Sequence, residues 1–280
     1  MQGLYRRQVL ESNIHEWNEQ GLCEYLASYS LIGFDLDNTL ACSKKPMTSG
    51  MRTVFGDLIN RLPIAVITGG DLRLVKSQIL NVLPAYTRLD NLHIMPTNGA
   101  SYYRISDGRL SCIYSHNISD DDANHVIEVI ISCAKKMGLW KCDSDEKLWG
   151  SQIENRGTQI TFSALGQLAP VEFKKQWDPS GVLKTTLAQE ISKNLPDFSV
   201  RAGGFTSVDI VSKGDNKAQA LKALSSYCHI PLNKMAFVGD RMYEGGNDYP
   251  TSLTGALAVR VKDPSDTFNL CIGMLKHLNS

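Results

Sequence analysis

The chain has no apolar run approaching the roughly 18 residues that a membrane-spanning helix needs, so no span is expected anywhere along it. Its first residues, MQGLYRRQVLESNIHEW, lack the apolar stretch of a secretory leader. Charge of one sign is not in excess either, because 29 basic residues balance 29 acidic ones. A neutral balance offers no large field for a polyanion, which argues against nucleic acid and membrane surfaces as partners. The seven cysteines (Cys23, Cys42, Cys112, Cys133, Cys142, Cys228 and Cys271) form no CxxC pair and no metal-ligand spacing. An odd, scattered set excludes a disulfide framework and predicts reduced thiols in a cytoplasmic protein. Internal repeats and low-complexity linkers are absent too. What is present is an ordinary globular composition: 280 residues, 42% of them hydrophobic, enough to bury a substantial core.

Domain organisation must therefore be read from the order of the elements. The runs LIGFD (31–35) and IAVIT (64–68) read as buried strands, each followed by a helical pattern, the first from about Met51 to Leu62 and the second DLRLVKSQILNVL. The same alternation resumes late in the chain. GDNKAQALKALSSYC (214–228) reads as a helix, MAFVGD (235–240) and ALAVRV (256–261) as strands, and a last helix follows. Short apolar runs separated by helices predict an α/β fold, a Rossmann-like parallel sheet with helices on both faces. In such sheets ligands bind beyond the carboxyl ends of the strands, and Asp35, Thr68 and Asp240 each stand at such an end.

Between these halves the pattern changes. ASYYRI and LSCIYS flank the turn SDGR, TQITFS and TSVDIV alternate, and helices are expected over about Asp120–Lys136 and Ser180–Lys193. Residues 101–208 are accordingly assigned to an inserted α+β cap domain that sets substrate specificity and could exclude water from the site. The catalytic core then comprises residues 31–100 and 209–280. Residues 1–30 form an N-terminal helical extension, with a helix from about Glu16 to Tyr29.

The sharpest local motif is FDLDNTL, in which Asp35 and Asp37 lie two apart just past a strand. One carboxylate can attack phosphorus while the other moves protons, and a carboxylate nucleophile needs no deprotonation at neutral pH. Read alone, a DxD followed by Asn-Thr is more simply a solvated turn with an Asx cap. The rest of the chain changes that balance. FVGDRMYEGGND supplies Asp240, Asn247 and Asp248, hard oxygen donors of the kind that suit Mg2+, on a glycine-bearing loop that can bring the second carboxylate back.

These motifs, in this order, resemble those of the haloacid dehalogenase-like phosphatases and phosphomutases, whose first motif is DxDxT after a hydrophobic strand. FDLDNTL fits, with Asn38 in place of a common glycine. The resemblance implies that Asp35 is the nucleophile and a magnesium ligand. It makes Asp37 the general acid and base whose backbone carbonyl also meets the metal, and Thr39 a support of the loop. It gives Thr68 and Gly69 of VITGG to phosphate binding, Lys217 (preferred to Lys213) to the transferred phosphoryl group, and Asp240, Asn247 and Asp248 to the metal. Within the superfamily the text is most similar to the eukaryotic-type phosphomannomutases: MPTNGA resembles their PENG segment, AGGFTSVDIV their GGQISFDVF segment, and GDRMYEGGND their GDKTMPGGND loop. That resemblance places Asn98 at the border of the site and gives Arg156, Ser207 and Asp209 of the cap to the sugar or its distal phosphate. It also implies a homodimer joined through the cap, although the apolar residues near Val126–Cys133 equally suit cap core.

A mutase needs a second anion site, commonly built from arginines. ENRGTQITFSALGQ keeps Arg156 but has Gln167 where the second arginine would stand, and Lys174 and Lys175 follow where a third is absent. A neutral amide is no substitute for a charged, bidentate clamp. The expectation is therefore a Mg2+-dependent phosphatase of a small phosphorylated sugar acting through an aspartyl phosphate, with phosphomannomutase as the alternative. A phospho-acceptor signalling domain fits poorly with an acid at Asp37 and a large cap. A silent binding protein fits poorly with a full catalytic set.

Overall fold

A computed structural model describes residues 14–141 and 148–278. Residues 1–13 of the predicted extension and Cys142 lie outside the described residues. The chain divides into two compact units, one formed by residues up to Ser115 and from Asp215 onward, the other by His116–Gly214.

In chain order the larger unit begins with β1 (Ile14–Glu16), α1 (Leu22–Ala27), β2 (Leu31–Phe34), α2 (Ser49–Ile59), β3 (Ile64–Ile67) and α3 (Leu72–Val75). A π-helical turn over Lys76–Leu80, β4 (Leu92–Met95), β5 (Ser101–Ser106) and β6 (Arg109–Ser115) follow. The inserted unit contains α4 (Asp120–Lys136), β7 (Ile153–Asn155), β8 (Gln159–Ser163), α5 (Val171–Trp177), α6 (Val182–Asn194), β9 (Phe198–Ala202) and β10 (Ser207–Ser212). The chain then returns to the larger unit through α7 (Lys217–Cys228), β11 (Met235–Gly239), β12 (Leu257–Arg260) and α8 (Pro264–Leu278).

The larger unit is one sheet in the order β1-β12-β11-β2-β3-β4-β5-β6, parallel from β1 to β4 and antiparallel from β4 to β6. Its central strands are uniformly apolar because both faces are covered. Ile32 and Phe34 pack with Leu22, Phe55, Leu58, Leu270 and Met274 on one face, and Leu31 and Phe237 with Ala220, Leu221 and Leu224 on the other. The edge of Phe55 meets the ring of Phe34 at a centroid distance of 5.5 Å. This packing fixes β2 between β11 and β3, so that the residues leaving the ends of the three strands emerge side by side.

Two expectations are corrected here. The hairpin β5-β6 belongs to the core sheet and not to the cap: β5 pairs with β4 through His93–Arg104 and Ile94–Tyr103, and Tyr102 is buried in the core. The insertion consequently runs from His116 to Gly214, instead of 101–208. Alternation reveals a strand but not the sheet it joins. The N-terminal segment, in turn, is not simply helical. Ile14–Glu16 extends the sheet by pairing in parallel with Ala258–Arg260, and the helix starts only at Leu22, after Gly21 in the left-handed region (φ 82°).

The inserted unit is a four-stranded antiparallel sheet, β7-β8-β10-β9, with α4 and α6 against one face. Helix α4 has strong local signals: Ser119 Oγ accepts from Asp122 N at 3.2 Å, three aspartates fill the first turn, and Lys135 and Lys136 the last. Val126, Ile130 and Cys133 are buried in this unit's own core with Ile160, Phe162, Val208 and Ile210. The opposite sheet face carries Gln159, Thr161, Ser163, Ser207 and Asp209. The six described cysteines are free thiols, and no described helix is long and apolar enough to cross a membrane.

Candidate active site

Asp35 is the first residue beyond β2. Its N–H still donates to Val238 O at 2.9 Å, which keeps it in register with Gly239 and Asp240 at the end of β11. Lys217 is the first residue of α7, whose start is set by Asn216: its Oδ1 accepts from Ala218 N at 3.0 Å and Gln219 N at 3.1 Å. The helix is seated against Gly99, where an added Cβ would lie 2.3 Å from Ala220 Cβ. These placements bring the Lys217 ammonium, 0% exposed, to 2.5 Å from Asp35 Oδ1 and 2.5 Å from Asp248 Oδ1.

Asp240 completes the group, and Asp35, Asp240 and Asp248 offer oxygens that all lie within 4.8 Å of one another. Asp240 is braced by Thr39: Asp240 N donates to Thr39 Oγ1 at 3.1 Å, and that hydroxyl donates to Asp240 Oδ1 at 3.3 Å. Asp248 spends both oxygens within the protein, on Lys217 and on Arg241 N (2.9 Å). It can approach so closely because residue 239 is glycine; a Cβ there would sit 2.4 Å from Asp248 Oδ2.

Asp35 and Asp248 are buried and Asp240 half-buried, and with all three ionised against one ammonium the site would hold an excess of two negative charges. Burial pushes the Asp35 carboxyl up to about 7; Lys217 opposes the shift and Asp248 adds to it. Asp240 is raised as well, by burial first and then by the charge of Asp248. Burial pulls Lys217 down, but Asp248 and Asp35 outweigh it and hold the ammonium above its ordinary range. Such a constellation favours a divalent cation, which would relieve the carboxylate repulsion. Asn247 Oδ1 is buried without a hydrogen-bond partner among the described residues, a further oxygen donor beside Asp248 in the chain.

Thr68 caps the end of β3, its Oγ1 accepting from Gly70 N at 3.1 Å. Asn98 N donates to Thr68 O at 2.7 Å and Thr97 N to Gly70 O at 2.9 Å, so the two loops hold each other. Asn98, at φ 54°, faces Gly69 with a shielded Oδ1 that has no hydrogen-bond partner among the described residues. Asn38 stands at φ 61°, a left-handed conformation that asparagine tolerates in place of the expected glycine.

Asp37 does not join the acidic cluster. Its Oδ1 accepts from Lys44 N at 2.9 Å and Gln78 Nε2 at 3.2 Å. Sequence reading had no means of finding Gln78, which lies 41 residues away. In the inserted unit, Arg156 is engaged by Glu154 through Nε (2.8 Å) and Nη2 (2.6 Å). Asp209 Oδ1 accepts from Gln159 Nε2 at 3.0 Å and Thr161 Oγ1 at 2.9 Å, while Ser207 Oγ accepts from Gly204 N at 2.9 Å. Gln159 and Thr161 were missed, although the period-two alternation of TQITFS puts them on one strand face. Gln167 gives its amide to Gln152 O and Thr161 O (3.3 Å each), and Lys174 Nζ donates to Gln167 O at 3.0 Å. Lys213, the rejected alternative to Lys217, donates instead to Pro196 O at 3.0 Å.

A parallel sheet interrupted by an α+β insertion, with Asp35, Thr68, Lys217 and Asp240 in that chain order, defines an enzyme of the haloacid dehalogenase type, a phosphoryl-transfer class. The family model for eukaryotic phosphomannomutase matches residues 51–277, and the chain belongs to that family. The phosphomannomutase of Spinacia oleracea is 25% identical over 247 residues, covering 85% of this chain and 92% of the relative. That of Saccharomyces cerevisiae is 23% identical over 248 residues, covering 86% and 92%. Among solved structures, ATP-bound Plasmodium falciparum IMP-nucleotidase superposes with a TM-score of 0.69 at 18% identity, covering 92% of this chain and 64% of that one. Aspergillus fumigatus trehalose-6-phosphate phosphatase gives 0.58 at 12% identity, covering 95% and 100%. These two likenesses concern the fold alone.

Proposed function

We propose that the chain is a phosphomannomutase, interconverting mannose 1-phosphate and mannose 6-phosphate through a phosphoryl group carried on Asp35. The observation that carries the reading is the buried Asp35–Lys217 contact beside Asp240 and Asp248. With a hexose bisphosphate bound, Asp35 attacks the phosphorus at one end, the bond from phosphorus to the sugar oxygen breaks, and Asp37 supplies the proton that this oxygen takes. The free hydroxyl of a sugar monophosphate then attacks the phosphorus carried on Asp35, its proton passes to Asp37, Asp35 leaves as a carboxylate, and the bisphosphate is re-formed with the monophosphate's own phosphate now at the distal end. Lys217 and the Thr68 hydroxyl hold the phosphoryl oxygens, with Gly69 leaving room for them. Asn98, Arg156, Ser207 and Asp209 bind the sugar and its distal phosphate.

The donor set fits Mg2+: oxygen ligands only, more carboxyl groups than the one ammonium can balance, and an Asn247 oxygen without a hydrogen-bond partner among the described residues. Asp35, the Asp37 backbone carbonyl, Asp240 and Asn247 would hold the ion, with Asp248 bracing Lys217. When bound, Mg2+ offsets the charge on the transferring phosphoryl group.

Family membership weighs toward the mutase and against the phosphatase expected from Gln167. The phosphatase stays as a second reading because the Gln167 amide is already spent on backbone carbonyls and the Arg156 guanidinium is held by Glu154. Mannose 1-phosphate supplied with a catalytic amount of hexose bisphosphate separates the two. The mutase yields stoichiometric mannose 6-phosphate with little free phosphate, whereas stoichiometric free phosphate overturns it in favour of the phosphatase.

A further inference from the structure

Gln78 is fully buried and sits in the π-helical turn Lys76–Leu80, the kind of local underwinding that collects at functional sites. Its Nε2 donates to Lys45 O at 2.8 Å and Asp37 Oδ1 at 3.2 Å, with Cys42 O at 3.4 Å, and its backbone carbonyl accepts from Met47 N at 3.1 Å. Gln78 thus ties the Asp37–Met47 loop to the turn after α3, through its side chain at Asp37, Cys42 and Lys45 and through its backbone at Met47. The amide's Oε1 is buried with no hydrogen-bond partner among the described residues. A leucine would avoid that cost, so the amide acts here through its N–H donors. One of them falls on the carboxylate that fails to converge with Asp35, Asp240 and Asp248.

We propose that Gln78 is a positioning residue that, with the Lys44 N–H, latches Asp37 away from Asp35 and thereby limits attack of water on the phosphorylated enzyme. The inference rests on the reading of Asp35 as nucleophile and Asp37 as acid and base. In the step that is limited, a water oxygen bonds to phosphorus and the bond from phosphorus to Asp35 breaks. The electron pair stays on the Asp35 carboxylate, the water proton goes to Asp37, and inorganic phosphate leaves. A latched Asp37 cannot take that proton while only water occupies the site. A bound sugar, which Asp37 serves in both transfer steps, displaces the latch as it binds, so at saturating sugar phosphate the latch bears on hydrolysis and hardly on formation. A donor hydrogen bond to a carboxylate corresponds to about a tenfold shift in a two-state population, so its loss should free Asp37 by about that factor.

The test is single-turnover labelling with radiolabelled hexose bisphosphate, in which formation and decay of the labelled enzyme are timed separately. Gln78→Met keeps the length and removes the donors; Gln78→Glu keeps the shape and sets a like charge against Asp37. In each variant that melts within a few degrees of the wild type, label loss to water should be about tenfold faster, with formation changed less than twofold. A role confined to loop stability would instead slow both steps or leave both unchanged, and either result overturns the latch. Failure of the parent reading looks different: the wild type itself takes up no label, or Asp35→Asn takes up as much as the wild type.

Discussion

Replacing Lys217 by methionine removes the ammonium that lies 2.5 Å from both Asp35 and Asp248 while nearly keeping the volume of the side chain. Two buried carboxylates then lose their counter-charge. Breaking a buried ion pair from one side costs about 3–5 kcal/mol, a large fraction of a typical folding free energy of about 5–15 kcal/mol. The pH dependence follows from the direction of each shift. The Lys217 ammonium is held above its ordinary range, so its stabilisation is present throughout the neutral range and is lost only as pH rises through the folded value. The Asp35 carboxyl is raised from 3.8 to about 7, so the folded state binds its proton more tightly than the unfolded chain, and stability falls as pH climbs through that window. Without Lys217, Asp35 would be pushed further toward its protonated form. The stability gap between wild type and variant should therefore be larger at about pH 8 than at about pH 5, where Asp35 is neutral in both. Urea denaturation at the two pH values, with chelator present so that no cation compensates, measures the gap directly. A gap no larger at pH 8 than at pH 5 would refute the reasoning, as would equal stability of the two proteins.

Gly239→Ala should cut Mg2+ affinity at least roughly tenfold, because the new Cβ would sit 2.4 Å from Asp248 Oδ2 and displace that carboxylate; calorimetric titration reads it, and unchanged affinity would count against the packing argument. Mg2+ affinity should also weaken as pH drops below about 7, where a proton on Asp35 competes with the ion, with proton release on binding detectable by calorimetry in buffers of different ionisation enthalpy. Affinity constant from about pH 5.5 to pH 8 would contradict the shift.

The parallel strands were legible because strands covered on both faces must be continuously apolar, as LIGFD, IAVIT and MAFVGD are. Helix α4 was legible for a different reason: its cap, its acidic first turn and its basic last turn all agree. The convergence of Asp35, Lys217 and Asp240 could be anticipated from strand ends and a helix start. The hairpin Ser101–Ser115 was assigned to the wrong unit because pairing partners are tertiary information. The direction of the Asp37 side chain was beyond reach for the same reason, since its Oδ1 accepts from Gln78 of a different element as well as from the nearby Lys44 N. Glu154, by contrast, stands two residues before Arg156, a spacing that puts both on one side of an extended strand. That pairing could have been read from the sequence.

The account stands on Asp35 bonding to phosphorus, and the direct measurement is chemical trapping of that bond. Enzyme quenched during turnover of a sugar phosphate with Mg2+ and reduced with borohydride should give a peptide in which residue 35, and no other carboxylate, has become homoserine. An unmodified residue 35 in enzyme that is turning over, or undiminished turnover by Asp35→Asn, would contradict it.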